Sequence, residues 1–256
     1  MAVEYQREGK IGIFTINLPE QLNAMNLVNL EQFSEALINF RDDDSVWVGI
    51  VTGVGDRAFY TGAGIKDYLP WAESTIRGPW KRWPDICRGL ELWKPMIAAI
   101  NGAALGGGLE ISLACDLRIA SENASFGVPE VLLGLIPGWG GTQRLPRAIP
   151  RAWAAELLLT GRPIDAQQAY RIGLVNRVVP LNELMPTAKK MAEYICAAGP
   201  LAVRAAKQAM IRGIELPLKD GLDIEYDLVA DLMKTEDYKE GRQAFMEKRA
   251  PVFKCK

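Results

Sequence analysis

The chain has 256 residues, 49% of them apolar, enough for one large domain or a core with an appendage. Charge is balanced, 30 Lys and Arg against 31 Asp and Glu, which leaves no broad basic field for nucleic acid. Histidine is absent, which excludes the usual Ser-His-Asp and Cys-His nucleophile systems and His-based zinc sites, so acid–base chemistry near neutrality falls to Glu, Asp, Lys, Tyr or Cys.

The N-terminal stretch MAVEYQREGK carries no apolar signal core, and no apolar run reaches the roughly 18–20 residues of a membrane span. A soluble cytoplasmic protein is expected. The first predicted strand is IGIFTI, Ile11 to Ile16, ended by Pro19. Leu27, Leu30, Phe33, Leu37 and Phe40 recur at helical spacing, which predicts an amphipathic helix. Arg41-Asp42-Asp43-Asp44 closes it as a solvated loop, and Val46 to Thr52 reads as a buried strand. The strand runs into Gly53-Val54-Gly55-Asp56-Arg57-Ala58, which fits the G-x-G-x-x-A dinucleotide pattern. That pattern must open a helix, whereas Phe59 to Gly64 is glycine-rich and not helical. A turn leaving a strand accounts for it. Gly62-Ala63-Gly64-Ile65-Lys66 is either a tight loop or one whose small residues let a ligand reach backbone N–H groups beside Lys66.

Met96 to Ile100, fixed at its start by Pro95, is the next strand, and NGAALGGGLEISLACD follows over Asn101 to Asp116. Glycine weakens helices, yet Gly106, Gly107 and Gly108 stand at the mouth of one. Two readings are open. The glycines expose the unpaired N–H groups of a helix start to a carbonyl or oxyanion, with Ala63 as a second donor, or they let the helix pack closely on a strand. Glu110 complements the helix dipole, or it pairs with Glu130, which lies in the apolar FGVPEVLLGLIPG. Two carboxyls in apolar surroundings would be raised toward a working range by desolvation, each resisting the other's ionisation.

Short strands at Leu117 to Ala120 and Ser125 to Gly127 complete an alternation of strands and helices that argues for an α/β core. Beyond about Arg151 helices dominate: Ala152 to Leu159, Asp165 to Ile172, Glu183 to Ala197, Leu201 to Gly213, Leu218 to Met233 and Thr235 to Lys248. Val175 to Val179 interrupts them as a strand, and Asp165 and Thr235 read as N-caps. Cys87, Cys115, Cys196 and Cys255 are widely spaced and read as reduced thiols.

Taken together, the motifs resemble the enoyl-CoA hydratase/isomerase (crotonase) family along nearly the whole chain. The markers occur in order: Asn17-Leu18-Pro19 with Leu22-Asn23-Ala24-Met25, Thr61 to Lys66, Ala98 to Gly102, Ala104 to Glu110, Ala124 to Glu130, Ile136-Pro137-Gly138, Gly140 to Leu145, Leu159-Thr160-Gly161 and Glu247-Lys248-Arg249. The resemblance implies an α/β fold, a spiral of ββα units over residues 1–195 with a helical oligomerisation region over 196–256, assembled as trimers usually paired into hexamers. It implies an acyl-CoA substrate, with coenzyme A as part of that substrate, no further cofactor, no metal, and neither nucleic acid nor membrane as partner. By motif position the oxyanion hole maps to Ala63 and Gly107, and substrate contacts to Asn23, Ala24, Gly64, Ile65 and Lys66.

Both glutamates of the hydratase branch are present as Glu110 and Glu130. They imply addition of water across the 2,3 double bond of an enoyl-CoA, Glu110 taking the water proton and Glu130 supplying the one that reaches C2. An isomerase, a ring-opening hydrolase of the same fold, or a non-catalytic acyl-CoA-binding scaffold are the alternatives. The sequence departs from the family pattern at Thr61, Gly64 and Trp139, positions often occupied by Ala, Asp and a small residue. Trp71, Trp80, Trp83 and Trp139 are candidates for lining a pocket for a bulky or cyclic acyl group, against ordinary packing.

Overall fold

The computed structural model of the chain describes residues 2–75 and 84–256. β1 (Val3–Glu8) and β2 (Ile11–Ile16) form an antiparallel hairpin across Gly9, whose φ of +59° suits the tight turn. Sequence patterning missed β1 because VEYQRE is an edge strand in which only Val3 is fully buried. α1 (Leu27–Asp42) starts at a capping box formed by Asn26 and Asn29 and buries Leu30, Phe33, Leu37 and Phe40.

A strand–strand–helix pattern then repeats. β3 (Val48–Gly53), β4 (Ala58–Tyr60) and α2 (Ile65–Thr75) make one unit. β5 (Met96–Ile100), β6 (Ala103–Leu105) and α3 (Gly107–Ala114) make the next. β7 (Leu117–Ser121) and β8 (Ser125–Gly127) lead into a 3-10 turn, Pro129–Leu133. α4 (Gly141–Ala148), α5 (Arg151–Thr160), β9 (Ile164–Asp165), α6 (Ala166–Arg171) and β10 (Arg177–Val179) follow. α7 (Leu181–Cys196), α8 (Pro200–Gly213), α9 (Leu218–Leu232) and α10 (Glu236–Glu247) complete the chain. Asp165 and Thr235 cap α6 and α10, accepting from the N–H groups of Gln168 (2.7 Å) and Tyr238 (3.1 Å).

The first strand of each unit joins one sheet, ordered β1-β2-β3-β5-β7-β10, and the second joins another, ordered β4-β6-β8-β9. Pairing is parallel except at the two ends, β1–β2 and β8–β9. The chain thus winds as a spiral of ββα turns. Side-chain alternation divides the large sheet: Ile11 and Ile13 of β2 with Val48 and Ile50 of β3 pack beneath Leu184, Ala188 and Ala192 of α7. Phe14, Ile16 and Val51 point into the main core, with Phe33, Phe59 and Leu109.

The G-x-G-x-x-A stretch is the turn joining β3 to β4, and no helix opens there. Its carbonyls are tied down by buried amides: Asn23 Nδ2 donates to Val54 O (3.1 Å) and Ala58 O (2.7 Å), and Asn101 Nδ2 to Gly55 O (2.8 Å). Cys115, Cys196 and Cys255 are free thiols. Among the described residues no helix is long and apolar enough to cross a membrane.

Candidate active site

Where β6 ends, Gly106 turns the chain at φ +54° and α3 begins. The three glycines have separate roles. A Cβ on Gly108 would overlap the Tyr60 carbonyl oxygen of β4, so this glycine lets helix and strand touch. A Cβ on Gly106 would stand 2.9 Å from Glu130 Oε1, and one on Gly107 would stand 3.2 Å from the Trp139 ring. These two keep a cavity open. Close packing of helix on strand thus belongs to Gly108, and the open space to Gly106 and Gly107.

Across from α3 runs Gly62-Ala63-Gly64. Met25 N–H donates to Gly62 O (3.2 Å) and Gly64 N–H donates to Met25 O (2.9 Å), a parallel bridge centred on Ala63. In extended chain that arrangement turns the Ala63 N–H to the opposite side. A Cβ on Gly62 would lie 3.4 Å from the Gly107 N, so loop and helix start meet closely. Among the described residues, neither the Ala63 nor the Gly107 N–H donates a hydrogen bond. Both residues line one cavity of about 310 Å³, together with Glu110 and Glu130.

The two carboxyls have different surroundings. Glu110 is 2% exposed. Its Oε1 accepts from the N–H groups of Trp139 (2.6 Å) and Gly141 (2.8 Å), at the start of α4. Unpaired N–H groups and the helix dipole favour negative charge there. The supporting loop is clamped by Arg144, whose Nη1 donates to Trp139 O (3.1 Å) and whose Nη2 donates to Cys87 O (2.6 Å). Glu130, in the 3-10 turn after β8, is half-buried, and its Oε2 is buried with no hydrogen-bond partner among the described residues. Desolvation pushes its carboxyl up to about 7; its own backbone N–H opposes this and the nearby Glu110 adds to it.

Trp139 is 6% exposed, and its ring closes one wall of the cavity. Its Nε1 donates to the Tyr68 hydroxyl oxygen at 3.0 Å, with the rings edge-to-face at 5.8 Å. Tyr68 also lines the cavity and was not singled out from sequence; the available signal is its place one helical turn after the Gly62–Gly64 loop. Trp71 rests on the Tyr68 ring at 5.6 Å and is not among the described residues that line the cavity. Trp80 and Trp83 lie outside the described residues.

The Asn23 side chain does not present itself to a ligand. It is 1% exposed, and besides its two carbonyl partners its Oδ1 accepts from Leu18 N–H (2.9 Å). It is a strut for the neighbouring loops. Ala24 and Gly64 are partly exposed beside it, Ile65 opens α2, and Lys66 is exposed on the first turn of that helix. Among the described residues no cluster of acidic or cysteine side chains is arranged to hold a metal ion.

A ββα spiral whose bare N–H groups and paired carboxyls share one apolar cavity defines the class of protein. The chain belongs to the enoyl-CoA hydratase/isomerase family, whose sequence model matches residues 6–256. It is 43% identical over 254 residues to (E)-benzylidenesuccinyl-CoA hydratase of Thauera aromatica, with 99% of both chains covered. It is also 43% identical over 249 residues to crotonyl-CoA hydratase of Syntrophomonas wolfei, with 97% of this chain and 96% of the relative covered. Among solved structures, an enoyl-CoA hydratase from Bacillus anthracis matches with a TM-score of 0.92 at 40% identity, with all of both chains covered.

Proposed function

We propose that the protein is an enoyl-CoA hydratase that reversibly adds water across the 2,3 double bond of an enoyl-CoA thioester. The observation that carries this reading is a pair of carboxyls in one cavity with opposite electrostatic support. Glu110 sits at the N–H groups opening α4, and Glu130 is desolvated and held up to about 7. The thioester oxygen accepts from Ala63 and Gly107. Glu110 takes a proton from water, the water oxygen bonds to C3, and charge moves through C2 onto the thioester oxygen in its hole. Protonated Glu130 then gives its proton to C2. The water has added across the bond, and the carboxyls reset when the proton on Glu110 passes to Glu130 through solvent.

Trp139 and Tyr68 give the cavity an aromatic wall, which supports a bulky or cyclic acyl group. The hydratase of Thauera aromatica similar to this chain is named for such a group. Exposed apolar side chains on the last helices, Leu218 at 78%, Tyr226 at 76% and Phe245 at 86%, support self-association into trimers paired as a hexamer. Sedimentation of the full chain tests that assembly.

The activity is tested by loss of the conjugated enoyl-thioester absorbance with linear, branched and aromatic enoyl-CoAs. Glu110→Gln and Glu130→Gln each should lower kcat by about 10²-fold or more. No hydration of any of these substrates, or a near-wild-type rate in either variant, overturns the reading. Appearance of a shifted double bond in place of the hydroxyl product would identify an isomerase instead.

A further inference from the structure

Tyr68 carries a polar atom for which hydration has no use. Its hydroxyl oxygen accepts from Trp139 Nε1–H, and indole is a donor only, so the direction of that bond is fixed. The Tyr68 O–H proton therefore remains to be given, and Tyr68 donates to nothing among the described residues. The group is not adrift. Tyr68 N–H donates to Gly64 O (2.9 Å), anchoring the first turn of α2. Trp139 is held by its N–H on Glu110 and by Arg144 on its carbonyl. The hydroxyl thus has a fixed position in a residue lining the cavity, which Pro129, Leu133, Leu135 and Ile136 also line.

We infer that Tyr68 is a specificity-determining residue whose hydroxyl donates a hydrogen bond to an uncharged oxygen on the acyl group beyond C3, so that the preferred substrates carry a keto, ether or hydroxyl oxygen there. The inference rests on the acyl-CoA reading of the cavity. We take the acceptor to be uncharged because the lining, among the described residues, contains the carboxyls of Glu110 and Glu130 and no Lys or Arg; next to these a third carboxylate would enter without a counter-charge. A substrate that lacks the oxygen leaves the donor unpaired once water is expelled, which penalises it relative to one that has it.

The test is calorimetric binding of saturated acyl-CoAs to the full-length protein, which needs no turnover. Heptanoyl-CoA is compared with its 4-, 5- and 6-oxo derivatives and with glutaryl-CoA. At least one keto derivative should bind about 5–10-fold tighter than heptanoyl-CoA. Tyr68→Phe should erase that preference, weakening the preferred keto derivative about 5–10-fold more than heptanoyl-CoA. The inference is overturned if no keto derivative is preferred, if the preference survives in Tyr68→Phe, if that variant weakens heptanoyl-CoA equally, or if glutaryl-CoA binds tightest. Should these differences appear while every enoyl-CoA goes unhydrated, the hydratase reading fails and the role of Tyr68 stands.

Discussion

The position of Glu130 near neutrality makes a kinetic prediction whose sign can be worked out. At its ordinary value near 4.5 this carboxyl would be protonated in about one molecule in 300 at pH 7; at about 7 it is protonated in half. The pool able to give a proton to C2 is therefore about 150-fold larger. Hydration uses the protonated form, so log kcat/KM should be level below pH 7 and fall with a slope near −1 above it. Dehydration of the 3-hydroxyacyl-CoA uses the ionised form and should rise through the same pH. The assay is initial-rate absorbance from pH 5.5 to 9 in both directions, with Glu130→Gln as control. Flat hydration to pH 8.5, or a break only below pH 5, would refute the argument. Stability must move as well. A carboxyl raised in the fold contributes stability present below about 4.5 and lost as pH rises through about 7. Glu130→Gln should therefore stabilise the protein more at pH 8.5 than at pH 5, by about 1–2 kcal/mol after allowance for solvent screening at this half-open site.

Three further perturbations separate packing from chemistry. Gly108→Ala drives a methyl into the Tyr60 carbonyl and should cost at least about 3 kcal/mol in thermal unfolding, whereas Gly55→Ala, at φ +86° with nothing within 4 Å, should cost only about 1–2. Equal losses at both positions would contradict the assigned close contact. Gly106→Ala puts a methyl 2.9 Å from Glu130 Oε1 and should lower kcat by at least about tenfold while shifting the pH break described above; an unchanged break would mean the two groups do not meet. Arg144→Lys replaces a planar fork bridging the carbonyls of Trp139 and Cys87 with a point charge, and should cut kcat about tenfold by loosening the loop behind Glu110, with a smaller change in Tm. A drop in Tm with kcat intact would make Arg144 a purely structural tie.

Much of this was legible in one dimension because the relevant signals are local. Strands of the parallel sheet are short apolar runs, and the caps of α6 and α10 are single residues. Motif order singled out Ala63, Gly107, Glu110 and Glu130, which the fold brings to one cavity. What was not legible depends on partners far apart in the chain. Tyr68 and Trp139 are 71 residues apart, and no periodicity links them. The cluster of tryptophans in the sequence pointed to Trp71, yet among the described residues it is Tyr68, three positions earlier, that lines the cavity, with Trp71 against its ring. Asn23 sits inside a family motif, and its position gave no hint that its amide is spent on Val54, Ala58 and Leu18. β1 was lost because an edge strand needs few apolar residues.

The proposed division of labour between the glutamates comes from neither glutamate's own surroundings in the sequence. Both stand in apolar stretches, and by local context alone they are equivalent. What separates them is Gly138-Trp139-Gly140-Gly141, folded so that two N–H groups converge on Oε1 of Glu110 and none reaches Oε2 of Glu130. That shape has strict requirements. Gly140 turns at φ +109°, and a Cβ on Gly141 would stand 2.8 Å from Pro137 and 3.1 Å from the Glu110 oxygen it serves. A side chain at 141 would push the donor off its acceptor and leave the two carboxyls without the difference on which the proposed base and acid roles rest. The proposed chemistry of Glu110 and Glu130 is therefore decided by glycines about 10 and 30 residues further along the chain.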